Sequence, residues 1–196
     1  MIIRVLPREF YERDPALVAR ELLGKILVRK LGFQILCGKI VETEAYYGEN
    51  DPASKAYKGR KKFNELMFMD VGKAFIYMVH GNWLLNVVAH SKGDVGAVLI
   101  RAIEPLQGVE IMMKNRGVKD ALALVNGPGK LTKALAITKK LNGSDVTKED
   151  SELVVAEGEM ENLICSSHRI GVKFDLPQEL RFYVKGNKFI SKTKVL

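Results

Sequence analysis

Two carboxylates stand two residues apart in Val41-Glu42-Thr43-Glu44-Ala45-Tyr46-Tyr47-Gly48. The run before them, Ile35-Leu36-Cys37-Gly38-Lys39-Ile40, is mostly apolar or β-branched, and Gly48-Glu49-Asn50-Asp51-Pro52 after them reads as a loop. The acids therefore sit near the exit of a strand. Alternation puts Ile40, Glu42, Glu44 and Tyr46 on one face and Val41, Thr43, Ala45 and Tyr47 on the other. Same-face neighbours in a strand are about 6–7 Å apart. Acids placed so either face water or include at least one member held for chemistry. A further ion stands in the apolar run Ala97-Val98-Leu99-Ile100-Arg101-Ala102-Ile103. An arginine in such a run normally faces a carboxylate or a phosphate, and Leu99 shares its face.

The elements that must position these groups follow in chain order. Asp14 is a good N-cap and Pro15 a good first helical residue; Leu17, Val18 and Leu22 give that helix an apolar face and Gly24 ends it. Residues 25–29 and 33–47 read as strands. Residues 48–73 form a long, basic, aromatic-studded connection, more often functional than idle. Residues 74–80 and 83–89 flank Gly81-Asn82 as a β-hairpin, carrying Tyr77 out and Asn86 back. In that register His80 and Trp83 face each other, as a stacking pair that holds the hairpin or as a projecting wedge. Pro105 starts a helix bearing Val109, Met112 and Met113, closed at Gly117. Asn126-Gly127-Pro128-Gly129-Lys130-Leu131 leads into a short helix. It is not a Walker loop, since Leu131 stands where Ser or Thr is needed; it is a tight turn or a one-phosphate site. Residues 142–162 are acidic and polar, an exposed stretch, and residues 180–190 close the chain as a basic hairpin. The fold class is α+β: a single domain over residues 1–196, with a curved, largely antiparallel sheet, a protruding hairpin and peripheral helices.

Composition narrows the partners. Lys and Arg number 31 against 23 Asp and Glu, a net charge of +8. Lys55, Lys58, Arg60, Lys61 and Lys62 cluster without an acid, as do Arg181, Lys185, Lys188, Lys192 and Lys194. Both clusters suit a polyanion, and both also suit a merely solvated surface. No apolar run is long enough to span a membrane and the N-terminus lacks a signal-peptide pattern. Cys37 and Cys165 are expected as buried reduced thiols, and His80, His90 and His168 lack metal-ligand spacing, so no metal and no other cofactor is expected.

A carboxylate on a strand end, two tyrosines, an asparagine, an arginine in an apolar strand and surrounding basic loops would suit an enzyme that swings a nucleobase out of DNA. The chain resembles the alkyladenine (3-methyladenine) DNA glycosylases over nearly its whole length. The resemblance rests on 41–46 (VETEAY), 51–54 (DPAS), 67–69 (MFM), 99–106 (LIRAIEPL), 127–131 (GPGKL), 169–172 (RIGV) and 181–186 (RFYVKG), in that order. It implies that Glu44 is the base that activates water, with Arg101 and the carbonyl of Ile170 helping to hold that water. It implies that Tyr46 and Tyr77 stack the extruded base, that Asn86 excludes guanine and that Lys55 lies at the base. His80 falls at the wedge that fills the vacated gap, supported by Leu99. Lys58, Arg60, Lys130, Arg181 and Lys185 are expected on DNA phosphates.

The sequence departs from the family pattern at two places. Lys55 stands where a histidine is usual; it is expected to turn outward to phosphate first, or else to shift preference toward neutral lesions such as hypoxanthine or ethenoadenine. The wedge is His80 rather than tyrosine, in a shorter turn, so Asn82 or Trp83 could share its role. The resemblance implies a monofunctional glycosylase acting on damaged double-stranded DNA in base excision repair. A cytoplasmic monomer is expected, in the nucleoid of a prokaryote or the nucleus of a eukaryote. The competing reading is a non-catalytic nucleic-acid-binding protein on the same scaffold.

Overall fold

The computed structural model describes residues 4–191, so Lys192 and Lys194 of the second basic cluster lie outside the described residues. Its centre is one long strand. β1 (Ile26–Leu31) and β2 (Gln34–Tyr46) form a hairpin. β3 (Ala74–Val79), β4 (Asn82–Val88) and β5 (Ala97–Gln107) follow, then the short β6 (Leu153–Ala156), β7 (Ile164–Ser167) and β8 (Arg181–Val184). The antiparallel sheet runs β3-β4-β5-β2-β1-β6, with β8 pairing both β2 and β7. The inner half of β2 thus pairs β1, its outer half pairs β8, and β5 lies along its other edge. Three short helices pack around this sheet: α1 (Pro15–Glu21), α2 (Val109–Arg116) and α3 (Pro128–Ala134). The α+β class and the curled antiparallel sheet match the expectation.

The ladder between β2 and β5 is irregular at one place. Ile40 pairs Ile103, Glu42 pairs Ala102 and Thr43 pairs Ile100, which leaves Val41 and Arg101 without partners across the ladder. A bulge re-aims side chains. Here Ile40, expected beside the acids, joins the main apolar core together with Val41. On the outer half of β2 the Thr43 hydroxyl donates to the Ala19 carbonyl at 2.7 Å and pins α1. Asp14 caps that helix as expected, accepting from the amides of Ala16 at 2.8 Å and Leu17 at 3.2 Å. Truncating a fully buried core residue such as Ile100 to alanine costs about 2–5 kcal/mol.

Several sequence expectations need correction. The hairpin turn is His80-Gly81, not Gly81-Asn82: Val79 pairs Asn82, and His80 and Gly81 take φ values of 46° and 76°. Both central residues at positive φ match the twist of a two-residue hairpin. Trp83 consequently lies opposite Met78 rather than His80, and packs against the core. Pro105 does not start a helix; β5 continues to Gln107, and α2 begins after Gly108. Beyond Leu99 β5 has no β4 neighbour, so Pro105 stands where the strand has a ladder partner, β2, on one side only, a position that tolerates proline. The stretch 142–162 is not simply exposed, because β6 within it is buried along its whole length. The basic closing hairpin does not form either; β8 pairs β7 and β2 instead. Cys37 is buried, while Cys165 is only partly so.

Candidate active site

The outer half of β2 carries its acids behind the wall of a cleft of about 620 Å³ bordered by Tyr46, Lys55, Tyr77, His80, Arg101 and Ile170, among others. Glu42 and Glu44 are both 0% exposed, so neither faces water. Glu44 Oε1 accepts the Ile170 N–H at 2.7 Å and lies 3.1 Å from Arg101 Nη1; its Oε2 accepts the Tyr46 hydroxyl at 2.7 Å. Burial pushes its carboxyl above the ordinary glutamate value, and Arg101, the Ile170 amide and Tyr46 oppose that rise without cancelling it. Glu42 is held differently. Its Oε1 accepts from Arg101 Nε at 3.0 Å and Arg181 Nε at 2.7 Å, and its Oε2 accepts the Ser191 N–H at 2.6 Å. Burial acts against that charge, but Arg101, Arg181 and the Ser191 amide outweigh it and keep the carboxyl below the ordinary value.

Arg101 links the two acids because the bulge leaves it between them. Burial disfavours its charge, yet Glu44 and Glu42 more than restore it. The phenols beside the acid stay protonated. Burial and then Glu44 drive Tyr46 well above the ordinary tyrosine value, and the same two causes push Tyr77 up to about 12. Tyr46 is therefore a donor to Glu44 throughout the physiological range. Asn86 is buried and donates to the Phe75 carbonyl at 3.2 Å. With Tyr46, Lys55, Phe75 and Tyr77 it borders a recess of about 10 Å³ that adjoins the cleft.

The structure thus brings Glu44, Arg101, Tyr46, Tyr77, Lys55, Asn86 and Ile170 together. His80 is exposed at the hairpin tip and borders the cleft, with Leu99 also on its wall but only 2% exposed. The hairpin is braced by α3: a Cβ on Gly129 would come within 2.8 Å of Asn82 Cβ, and Thr132 Oγ1 donates to the Trp83 carbonyl at 2.7 Å. Two expectations fail. Lys55 does not turn outward; its Nζ lies 5.1 Å from the Tyr77 ring centre, over the ring. Arg181 is not at the phosphate-facing surface; it is 4% exposed, bound to Glu42 and stacked 4.4 Å from the Tyr183 ring centre. Lys130 borders the cleft, its Nζ donating to Asn126 Oδ1 at 2.8 Å. Lys58, Arg60 and Lys185 are exposed but lie off its wall, and Arg60 is paired with Glu65 at 2.7 Å.

Sequence reasoning assigned no role to Arg169. Its side chain is 0% exposed and grips Asp51 through Nη1 and Nη2 at 2.6 and 2.7 Å, while Nε reaches Asp175 at 2.9 Å. Its guanidinium lies 4.6 Å from the Tyr46 ring centre. The signal was the one that picked out Arg101, an arginine beside apolar Ile170 with an acid, Asp175, within reach along the chain. Asn64 was also missed: fully buried, it donates to the Lys55 and Gly59 carbonyls at 2.7 and 3.0 Å and so fixes the turn that carries Lys55.

A second groove, of about 640 Å³, passes Asp14, Tyr47, Glu49 and Asp94; its carboxylates would repel a polyanion, and none of the partners of Glu44 borders it. No helix among the described residues is long and apolar enough to cross a membrane.

A family model described as methylpurine-DNA glycosylase (MPG) matches residues 9–188. Relatives named "Putative 3-methyladenine DNA glycosylase" include one from Carboxydothermus hydrogenoformans, 46% identical over 191 residues, which is 96% of this chain and 99% of the relative. Another, from Aeropyrum pernix, is 42% identical over 98% of this chain and 95% of its own. A third, from Chlorobium phaeobacteroides, is 40% identical over 97% and 98% respectively. The chain belongs to the methylpurine-DNA glycosylase family, and it is a DNA glycosylase of DNA repair.

Proposed function

We propose that this enzyme draws one damaged purine nucleotide out of double-stranded DNA and stacks its base between Tyr46 and Tyr77. It then hydrolyses the N-glycosidic bond with a water activated by Glu44 and leaves an abasic site with the strand intact. The lesions are alkylated or deaminated purines of the 3-methyladenine, hypoxanthine and ethenoadenine class. The observation that carries this reading is Glu44, buried and gripped at both oxygens by Tyr46, Arg101 and Ile170, all three of which border one cleft together with the second phenol, Tyr77.

Breaking the glycosidic bond builds positive charge on the sugar, which a nearby carboxylate stabilises while it polarises water. Arg101 and the Ile170 amide aim that carboxylate, and Arg101 with the Ile170 carbonyl holds the water. Asn86 rejects guanine by clashing with its exocyclic amino group. His80, backed by Leu99, fills the vacated gap and offsets an unstacking cost of about a few kcal/mol. Lys58, Arg60, Lys130 and Lys185 meet phosphates, which sets register without reading sequence. One lesion needs one cleft, and the enzyme acts as a monomer.

The test is base release from duplexes carrying a single 3-methyladenine, hypoxanthine or ethenoadenine. Breaks appear only after alkali, and Glu44→Gln binds the lesion but does not release it. Strand cleavage before alkali rejects the monofunctional reading, and full activity in Glu44→Gln rejects Glu44 as the base. Tyr46→Ala weakens lesion binding by about 1–3 kcal/mol; unchanged affinity removes Tyr46 from the stacking wall.

A further inference from the structure

Both rings that wall the proposed slot already carry a cation. Arg169 lies 4.6 Å from the Tyr46 ring centre and Lys55 Nζ lies 5.1 Å from that of Tyr77. Tyr46 borders the cleft and Arg169 does not, so the guanidinium backs the ring from within the protein. It cannot leave, being fully buried and clamped between Asp51 and Asp175. Lys55 is different: it borders both the cleft and the adjoining recess, on a turn fixed by Asn64. The Tyr46 ring thus already has a cation behind it, and the Tyr77 ring one over it at the cleft, before any base arrives.

From this we infer that the slot favours neutral damaged purines over cationic N-alkylated ones, and that Lys55 is the residue that sets this preference. The inference rests on Tyr46 and Tyr77 being the stacking walls. A cationic purine entering between the rings must displace the Lys55 ammonium from Tyr77 or lie against it, in a slot where charges are poorly screened. Neutral purines meet the opposite situation. The carbonyl of hypoxanthine or the ring nitrogen lone pair of ethenoadenine can accept one of the three N–H groups of Lys55. The ammonium that repels one class of lesion binds the other.

Cationic nucleosides lose their base spontaneously, so raw rates conceal this discrimination. The experiment is single-turnover base release from duplexes carrying hypoxanthine, ethenoadenine or 3-methyladenine, each divided by the rate without protein. All three avoid the guanine amino group that Asn86 would meet. The native enzyme accelerates hypoxanthine and ethenoadenine release at least about tenfold more than 3-methyladenine release, as like charges juxtaposed in an interface require. Lys55→Gln keeps a donor and loses the charge, so the ratio of hypoxanthine acceleration to 3-methyladenine acceleration falls. Lys55→Met loses both, so acceleration of hypoxanthine release falls as well. Equal acceleration of all three by the native enzyme, or a ratio unmoved in Lys55→Gln, overturns the inference and leaves the stacking slot standing. No acceleration of any lesion overturns the slot itself, and the inference with it.

Discussion

Glu42 and Glu44 stand on one strand, both out of contact with solvent, and share Arg101. Their surroundings nonetheless push them in opposite directions. Glu42 has two guanidiniums and the Ser191 amide, which outweigh burial and keep its proton off. Glu44 has one guanidinium, one amide and a phenol, which burial outweighs, so its proton comes on more readily than in water. Two of the three partners of Glu42, Arg181 and the Ser191 amide, lie off the wall of the cleft, whereas all three partners of Glu44, namely Tyr46, Arg101 and Ile170, border it. A buried acid whose charge is overcompensated holds structure together. One left undercompensated beside a cleft is available for chemistry.

The sharpest way to break the comparison is to neutralise each acid in turn. Glu44→Gln lowers single-turnover base release by about 10²–10⁴-fold, the range for a positioned acid or base. It leaves thermal unfolding at neutral pH unchanged or raised, since an undercompensated buried charge is removed. Glu42→Gln does the reverse to stability. It leaves Arg181 and Arg101 short of a counter-charge inside the protein and costs about 3–5 kcal/mol in denaturant unfolding. If the two variants unfold alike, the division of roles is wrong.

That division was only half legible in the chain. Alternation showed that the two acids share a face, and an arginine in an apolar strand announced a buried partner. The cap at Asp14 and the antiparallel α+β class were also readable, because each depends on local residue types. What escaped depends on pairing at a distance. Arg181 looked like a surface cation because the acid that binds it is 139 positions away in sequence. β6 escaped because Leu153-Val154-Val155-Ala156 is a four-residue run among acids, and only β1 beside it makes it a strand. The hairpin tip was misplaced by one residue, since His80 takes the positive φ expected of a glycine or asparagine. Lys55 was pointed the wrong way because nothing local reveals a ring above it. The family resemblance supplied roles for Tyr46, Tyr77 and Asn86 that their spacing alone did not.

The pH profile sharpens the contrast further. Glu44 must be ionised to act as a base and burial raises its carboxyl, so the acid limb of base release lies above 4.5, the ordinary glutamate value. Its linkage to stability has the same origin. Between 4.5 and the raised native value the folded state binds more protons at Glu44 than the unfolded state does, so this group's contribution to stability falls as pH rises through that window. Glu42 contributes with the opposite sign: its stabilisation is present above 4.5 and is lost as pH falls through its depressed native value. Activity and unfolding measured together across pH 3–8 should therefore show base release failing at a higher pH than the fold. Coincident failure means that the activity limb reports unfolding rather than Glu44.

The smallest expected effect belongs to Tyr46→Phe, which separates the two jobs of one side chain. The ring remains, still backed by Arg169, so lesion binding stays within about twofold, consistent with stacking that depends on the ring face. The hydroxyl that donates to Glu44 Oε2 is lost, and with it one of the groups that favour the ionised acid. A hydrogen bond to a charged group contributes about 1.5–3 kcal/mol. Water that enters the emptied position returns part of this, and the acid limb moves to higher pH. On the plateau above the limb the variant then releases base nearly as fast as the native enzyme, while within the limb it lags. A uniform loss across pH would mean that the hydroxyl touches the reacting groups directly, and a limb that stays in place would mean that Arg101 and the Ile170 amide alone govern the charge on Glu44.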